Sequence, residues 1–319
     1  MLKLRSIDDQ ARAVYKVLTE LGYQSDPNLI SERINVLHNG LVHEDEFLYI
    51  LTWLNNVTFA HKMDQSFKCA HPGTNIRVPD LLIIVNESGK QCRYLVEIKT
   101  SQDNELIWSE KYTNSLREYG KLMDTPILVA WKWKSTDIWT LVRLEDFTQT
   151  KPGMSFRLSL LTAHKRNLMS QLFGDFVIWI PEQFTFVIKQ KKIREINEDG
   201  QRGWETVVED VYFLGREGKP AALSDGALAV LHSLNVDEIT EEDDDYLYFK
   251  IVPWPEQGLF AQTIPIRLTE QKNNQQVDWQ DFIENRKFPI TYEKLLFDLS
   301  SGIESGVIDH IAYLKPGYD

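Results

Sequence analysis

"RVPDLLIIVNESGKQCRYLVEIKTS", Arg77 to Ser101, contains two apolar runs around a polar Asn-Glu-Ser-Gly turn. That layout predicts a β-hairpin. Each run carries charge where a strand normally holds only hydrophobes. Residues two apart on a strand share a face. Glu97 and Lys99 therefore point one way, while Val96 and Ile98 point the other way into apolar packing. A turn centred between Ser88 and Gly89 sets Asp80 directly opposite Glu97, with Cβ atoms about 4.5–5.5 Å apart. A one-residue slip of register would undo that pairing. Two facing carboxylates repel each other, so the site needs a shared proton, a neighbouring cation or a bound metal. Lys99 supplies one positive charge beside the pair. A hard divalent ion with oxygen ligands suits two carboxylates, waters and a substrate phosphate.

Pro79-Asp80, a gap, and then Glu97-Ile98-Lys99 resembles the PD-(D/E)xK nuclease superfamily, which includes restriction endonucleases, Holliday-junction resolvases and RecB-type nuclease domains. The resemblance covers about residues 35–145. It implies an α/β fold, a mixed central sheet flanked by helices, with the site on a central hairpin. It also implies magnesium-dependent (or manganese-dependent) hydrolysis of DNA phosphodiester bonds. Asp80 and Glu97 match the metal ligands, Lys99 the catalytic lysine, and the carbonyl of Ile98 a further ligand. RecB-type members carry Gly-x-x-His at the start of the preceding helix, matched here by Gly40 and His43, which makes His43 a candidate metal ligand. They carry Gln-x-x-x-Tyr on the following helix, where Tyr119 matches but Ser115 replaces the Gln. Other members place a Glu on the preceding helix, facing the metal. Glu46 is the first candidate for that role, with Glu44 and Glu32 behind it; acids favoured by a helix N-terminus are the competing explanation. Tyr119, Lys111 and Arg117 are the candidate substrate contacts. Lys121 on the same helix, and Lys132 and Lys134 around Trp133, are further cations that could meet phosphate. Trp131 and Trp133 at period two suit one packed strand face or a base-stacking surface.

The chain has 319 residues, with 43% hydrophobic content and a formal net charge of -12. The apolar content is enough for a real core, and the charge argues against coating nucleic acid through bulk positive charge. The charge is uneven. Residues 1–150 hold 17 Lys and Arg against 20 Asp and Glu, and residues 151–319 hold 18 against 27. Phosphate is therefore expected on the first half, and a homodimer or protein partner on the acidic C-terminal half. Two cysteines, Cys69 and Cys92, cannot alone supply a four-thiolate zinc or iron–sulfur site. With no spanning apolar run and no signal-like N-terminus, the expectation is a soluble, reduced, cytoplasmic protein.

The pattern predicts helices over "SIDDQARAVYKVLTELGY", "HEDEFLYILTWLNNV" and "NELIWSEKYTNSLREYGKLM", the last as one long amphipathic helix. "QSFKCA", "PILVAWKW" and "IWTLVRL" read as strands. Beyond "TQTKPGM" the chain turns β-rich, with a short helix at "SDGALAVLHSL". The segment "TYEKLLFDLSSGIESGVIDHI" reads as helical, interrupted by Ser-Gly. "DEITEEDDDY" reads as a solvated loop. The expected division is a nuclease-like domain over 1–170 and a β-rich accessory or substrate-recognition domain over 171–319.

No Walker loop, dinucleotide fingerprint, nucleophile elbow or H-E-x-x-H is present. The functional expectation is a metal-dependent DNA nuclease in defence, restriction or repair. The alternatives are a non-catalytic nucleic-acid- or protein-binding assembly factor on the same fold, and an RNA-cleaving enzyme.

Overall fold

A computed structural model describes residues 14, 18, 42–54, 56–64, 75–150, 154–198, 201–254, 258–272, 277 and 279–317. The "QSFKCA" strand, Glu32, Gly40 and Cys69 lie outside the described residues.

The turn at Ser88–Gly89 fixes the architecture. Ser88 (φ 50°) and Gly89 (φ 83°) both take the left-handed conformations that a two-residue hairpin turn requires. It joins β2 (Leu81–Glu87) to β3 (Lys90–Ser101), whose pairs run from Leu81–Val96 to Glu87–Lys90, the expected register. β3 then pairs in parallel with β5 (Ile127–Trp133), setting Glu97 beside Val129 and Lys99 beside Trp131. With β1 (Val57–Lys62) and β6 (Ile138–Arg143) antiparallel at the edges, the sheet is five-stranded and mixed, in the order β1-β2-β3-β5-β6.

Alternation along these strands makes two cores. Leu81, Ile83, Val96, Ile98, Leu128 and Ala130 face α1, the helix over residues 42–53, which buries Phe47, Ile50 and Leu51 against them. Leu95, Val129, Trp131 and Val142 face the other way. They pack with Leu116 of α2 (Glu110–Leu122) and with Trp108 and Phe156. Trp108 and Phe156 belong to a small sheet of β4 (Glu105–Ser109), β7 (Thr148–Gln149) and β8 (Ser155–Ser159). The first quarter of the expected long helix is therefore strand. Leu106 and Trp108 are buried while Ile107 is 63% exposed, a period of two, and the ladder to β8 takes up the backbone groups. Ser109 then caps α2, its hydroxyl accepting from Tyr112 N at 3.2 Å.

After β9 (Val177–Trp179), the second half contributes a five-stranded antiparallel sheet in which β12 (Pro220–Ala221), β11 (Gln201–Leu214), β10 (Thr185–Glu198), β14 (Tyr246–Pro253) and β13 (Val236–Glu242) lie side by side in that order. Its centre is the hairpin of β10 (Thr185–Glu198) and β11 (Gln201–Leu214). The acidic run is not a loop. Val236–Glu242 forms β13, an exposed edge strand paired with β14 (Tyr246–Pro253), and only Asp243–Asp245 make the turn. Acids along an edge strand keep other chains from adding to it. Ser301-Gly302 does not interrupt its helix either, which runs from Tyr292 to Glu304. A Cβ on Gly302 would lie 2.8 Å from Ile308, so the glycine admits the returning chain; His310–Ala312 is a strand.

Residues on both sides of position 170 share one core. Trp53 Nε1 donates to Ile290 O at 2.8 Å, and the rings of Tyr49 and Trp279 lie 4.8 Å apart. Gln262 exchanges hydrogen bonds with the backbone of Trp139 and donates its N–H and Nε2 to Asp175 at 3.1 and 2.7 Å. No helix among the described residues is long and apolar enough to cross a membrane.

Burial pushes the Asp175 carboxyl up from 3.8 to about 6 despite those bonds. The folded state therefore holds a proton that the unfolded chain releases between pH 3.8 and 6, so stability from this group falls as pH rises through that window and levels above it. Relative to Asp175→Asn, the wild type should lose about 2 kcal/mol of unfolding free energy between pH 4 and 6.5. Denaturant titrations across that range measure it, and a pH-independent difference would contradict it.

Candidate active site

Asp80 lies just before β2, where the chain leaves the regular ladder. Its N–H donates to Val96 O at 3.0 Å, its carbonyl accepts from Met63 N at 2.9 Å, and its Oδ2 accepts from Ile98 N at 2.6 Å. Bonds to β3 and to the residue following β1 thus hold Asp80 in place, with Ile98 N–H holding its carboxylate. Glu97, on β3, is fully buried at 0% exposure. Its Oε1 accepts from Lys99 Nζ at 2.5 Å and from the Tyr112 hydroxyl, and Arg77 Nε lies 3.8 Å away. Its Oε2 is buried with no hydrogen-bond partner. A buried carboxylate oxygen without a donor carries a large desolvation cost. Such an atom fits a hard cation, which takes one or two protein carboxylates and fills its remaining positions with water and phosphate oxygens. Among the described residues, no group of three or more His, Cys, Asp or Glu side chains converges as a ready metal cage.

The charges are consistent with that crowding. Burial raises the Glu97 carboxyl, Lys99 pulls it down, and Asp80 pushes it up again, for a net rise. Burial alone would lower Lys99, but Glu97, Tyr112 and Asp80 outweigh it and hold the amine protonated. Burial and then Glu97 raise the Tyr112 phenol, so it remains a donor. Lys99 also donates to Ile98 O at 2.8 Å, so the carbonyl expected to face a metal is occupied by the lysine.

The structure separates Glu46 and His43 from this cluster. Glu46 lies on the opposite face of the sheet, 3% exposed. Lys132 Nζ donates to both its oxygens, at 2.8 and 2.9 Å, and Trp139 Nε1 donates to Oε1 at 2.8 Å. His43 Nδ1 is 3.5 Å from the same carboxylate. Burial would raise Glu46, but His43, Lys132 and Trp139 bring it below its ordinary value. Glu44 is the acid that senses the hairpin, since burial first and the charge of Asp80 second raise its carboxyl. Lys62 lies 3.5 Å from Glu44 and also pairs with Asp45.

On α2, the residue that reaches Glu97 is Tyr112. Tyr119 is two turns further along, about 10 Å, half-buried against the apolar face. Lys111 is exposed. Arg117 lies over the Phe156 ring at 4.4 Å and bonds Asn114. Ser115, at the position expected for Gln, is buried and donates to Tyr112 O at 2.7 Å. The sequence pattern missed Tyr112 and Arg77. Tyr112 was legible as the third residue after a Ser cap. Arg77 was legible as a cation three residues ahead of Asp80.

No protein-family model matches the chain, and no curated protein matches it in sequence. Among solved structures, the chain is similar to a Holliday junction resolvase from Archaeoglobus fulgidus, an archaeal hyperthermophile. The match has 15% identity and a TM-score of 0.29, covering 40% of this chain and 88% of the resolvase. A likeness of that size says nothing by itself about what this chain binds or cleaves.

Lys132→Met should strand the buried Glu46 charge and cost about 3–5 kcal/mol of stability. Adding Glu46→Gln should recover part of that loss. Urea denaturation of the single and double variants measures it; an additive double variant would contradict the coupling.

Proposed function

We propose that this protein is a metal-dependent nuclease that hydrolyses phosphodiester bonds, with DNA as its substrate. The observation that carries the reading is the buried, donor-free Oε2 of Glu97 beside Asp80, on a hairpin whose other charges are Lys99 and Arg77. A scaffold has no use for that arrangement, because leaving a buried carboxylate oxygen unpaired only destabilises it.

Asp80 and Glu97 would hold magnesium or manganese, and Glu44 is the helix acid best placed to assist, in preference to Glu46. When bound, the ion supplies Lewis acidity toward the phosphate and a more acidic water. The protein residues orient and stabilise. Ile98 N fixes the Asp80 carboxylate toward the site. Tyr112 and Lys99 converge on Glu97 Oε1, which leaves Oε2 as the free lone-pair donor. Lys99 carries a positive charge to the place where a pentacovalent phosphate would gather negative charge. Residues 171–319 serve as the accessory or substrate-recognition part, and their excess of acid suits a protein partner or a second copy of the chain better than nucleic acid.

Purified protein should cleave at least one of plasmid, linear, single-stranded or branched DNA in magnesium or manganese, and EDTA should abolish the cleavage. Asp80→Asn and Glu97→Gln should remove both activity and Mn2+ binding measured by calorimetry. Lys99→Ala should lower turnover by about 10²–10⁴ while retaining the folded state. Tyr112→Phe should reduce turnover less than Lys99→Ala. Cleavage that persists in the carboxylate variants would refute the site. Preference for RNA over every DNA would transfer the reading to an RNA-cleaving enzyme.

A further inference from the structure

Arg77 sits at the mouth of the carboxylate pair without being bonded to it. Its Nε is buried with no hydrogen-bond partner, and the 3.8 Å to Glu97 Oε1 is too long for a hydrogen bond. Glu97 Oε1 already accepts from Lys99 and Tyr112, so it has little left to offer a third donor. The guanidinium is instead held by stacking, with Cζ 4.5 Å from the centre of the Tyr112 ring. The loop beneath it is tied to α2 at two points, Arg77 N to Ser115 O at 3.0 Å and Asn75 Nδ2 to Lys111 O at 3.5 Å. The side chain is 43% exposed, so its outer edge opens to solvent. A planar fork of donors, fixed in orientation, short of partners and open on one side, suits two oxygens of a phosphate.

We propose that Arg77, seated on Tyr112, is the phosphate-binding residue of the site. Before substrate arrives, it helps offset the charge of Asp80 and Glu97. With the carboxylates neutralised by a bound cation, the guanidinium on its Tyr112 platform would be free to clamp a backbone phosphate of the bound strand. Lys99 differs because its two bonds, to Glu97 and Ile98 O, keep it inside the carboxylate cluster. Arg77 is therefore a substrate-binding residue, and Tyr112 is its platform as well as a donor to Glu97.

This inference rests on the nuclease reading. The test is fluorescence anisotropy of labelled duplex, single-stranded and four-way-junction DNA in Ca2+, over a series of KCl concentrations. Arg77→Ala should weaken binding about tenfold and reduce the slope of log K against log salt by about one. Arg77→Lys should keep the slope and recover only part of the affinity, because it keeps the charge and loses the fork. Mn2+ binding without DNA should stay at wild-type strength or above in both variants, which a folding defect would not produce. Wild-type affinity and slope in Arg77→Ala, with cleavage by the wild type intact, would overturn the phosphate role alone. Loss of Mn2+ binding together with a lowered melting temperature in both variants would also overturn it, in favour of a structural role. Failure of the wild type to cleave any DNA or RNA would overturn the nuclease reading and this inference with it.

Discussion

Two carboxylates, Asp80 and Glu97, are brought together where water is scarce, and the site is organised around offsetting their repulsion. Glu97 is fully buried and Asp80 nearly so. Left to themselves, two ionised carboxylates so placed repel each other strongly. Three features work against that. Ile98 N–H binds Asp80, Lys99 and Tyr112 bind one oxygen of Glu97, and Arg77 lends charge from 3.8 Å. The offset is incomplete, since Glu97 Oε2 has no partner and Glu97 is still raised. A site that was only structural would close that gap with one more donor.

Glu46 shows what closure looks like. It too is a buried acid on an element packed against the same sheet. Lys132 and Trp139 satisfy it fully, and its carboxyl falls below its ordinary value instead of rising. The sheet thus holds two acids with opposite fates on its two faces. Glu46 locks α1 to β5 and β6 as part of the frame. Glu97 is left with an open lone pair. The alternation of side chains along a strand separates the two, because Glu97 and Lys132 lie on adjacent paired strands but point to opposite faces.

Much of this was readable in the chain. The Ser88–Gly89 turn set the hairpin register, and period-two alternation put Glu97 and Lys99 on one face. Both inferences are local, so tertiary context had little opportunity to override them. Glu46 was misjudged because helix position alone cannot say which acid a lysine 86 residues away will capture. Glu44, two residues earlier, is the one that feels Asp80. The segment before α2 was misread because an apolar run leading straight into an amphipathic helix reads as its first turn until the ladder with β8 is known. The acidic edge strand was misread for a related reason. Its charges suggest solvent, and they do face solvent, but the backbone still pairs with β14.

The most direct test is to locate the ion itself. A crystal of the wild-type protein soaked in Mn2+ should give an anomalous-scattering peak between Asp80 and Glu97, about 2.1 Å from Glu97 Oε2. The ammonium of Lys99 should remain on Oε1. No peak at that position, or a peak only at the acidic edge strand near Glu241 and Glu242, would contradict the central claim.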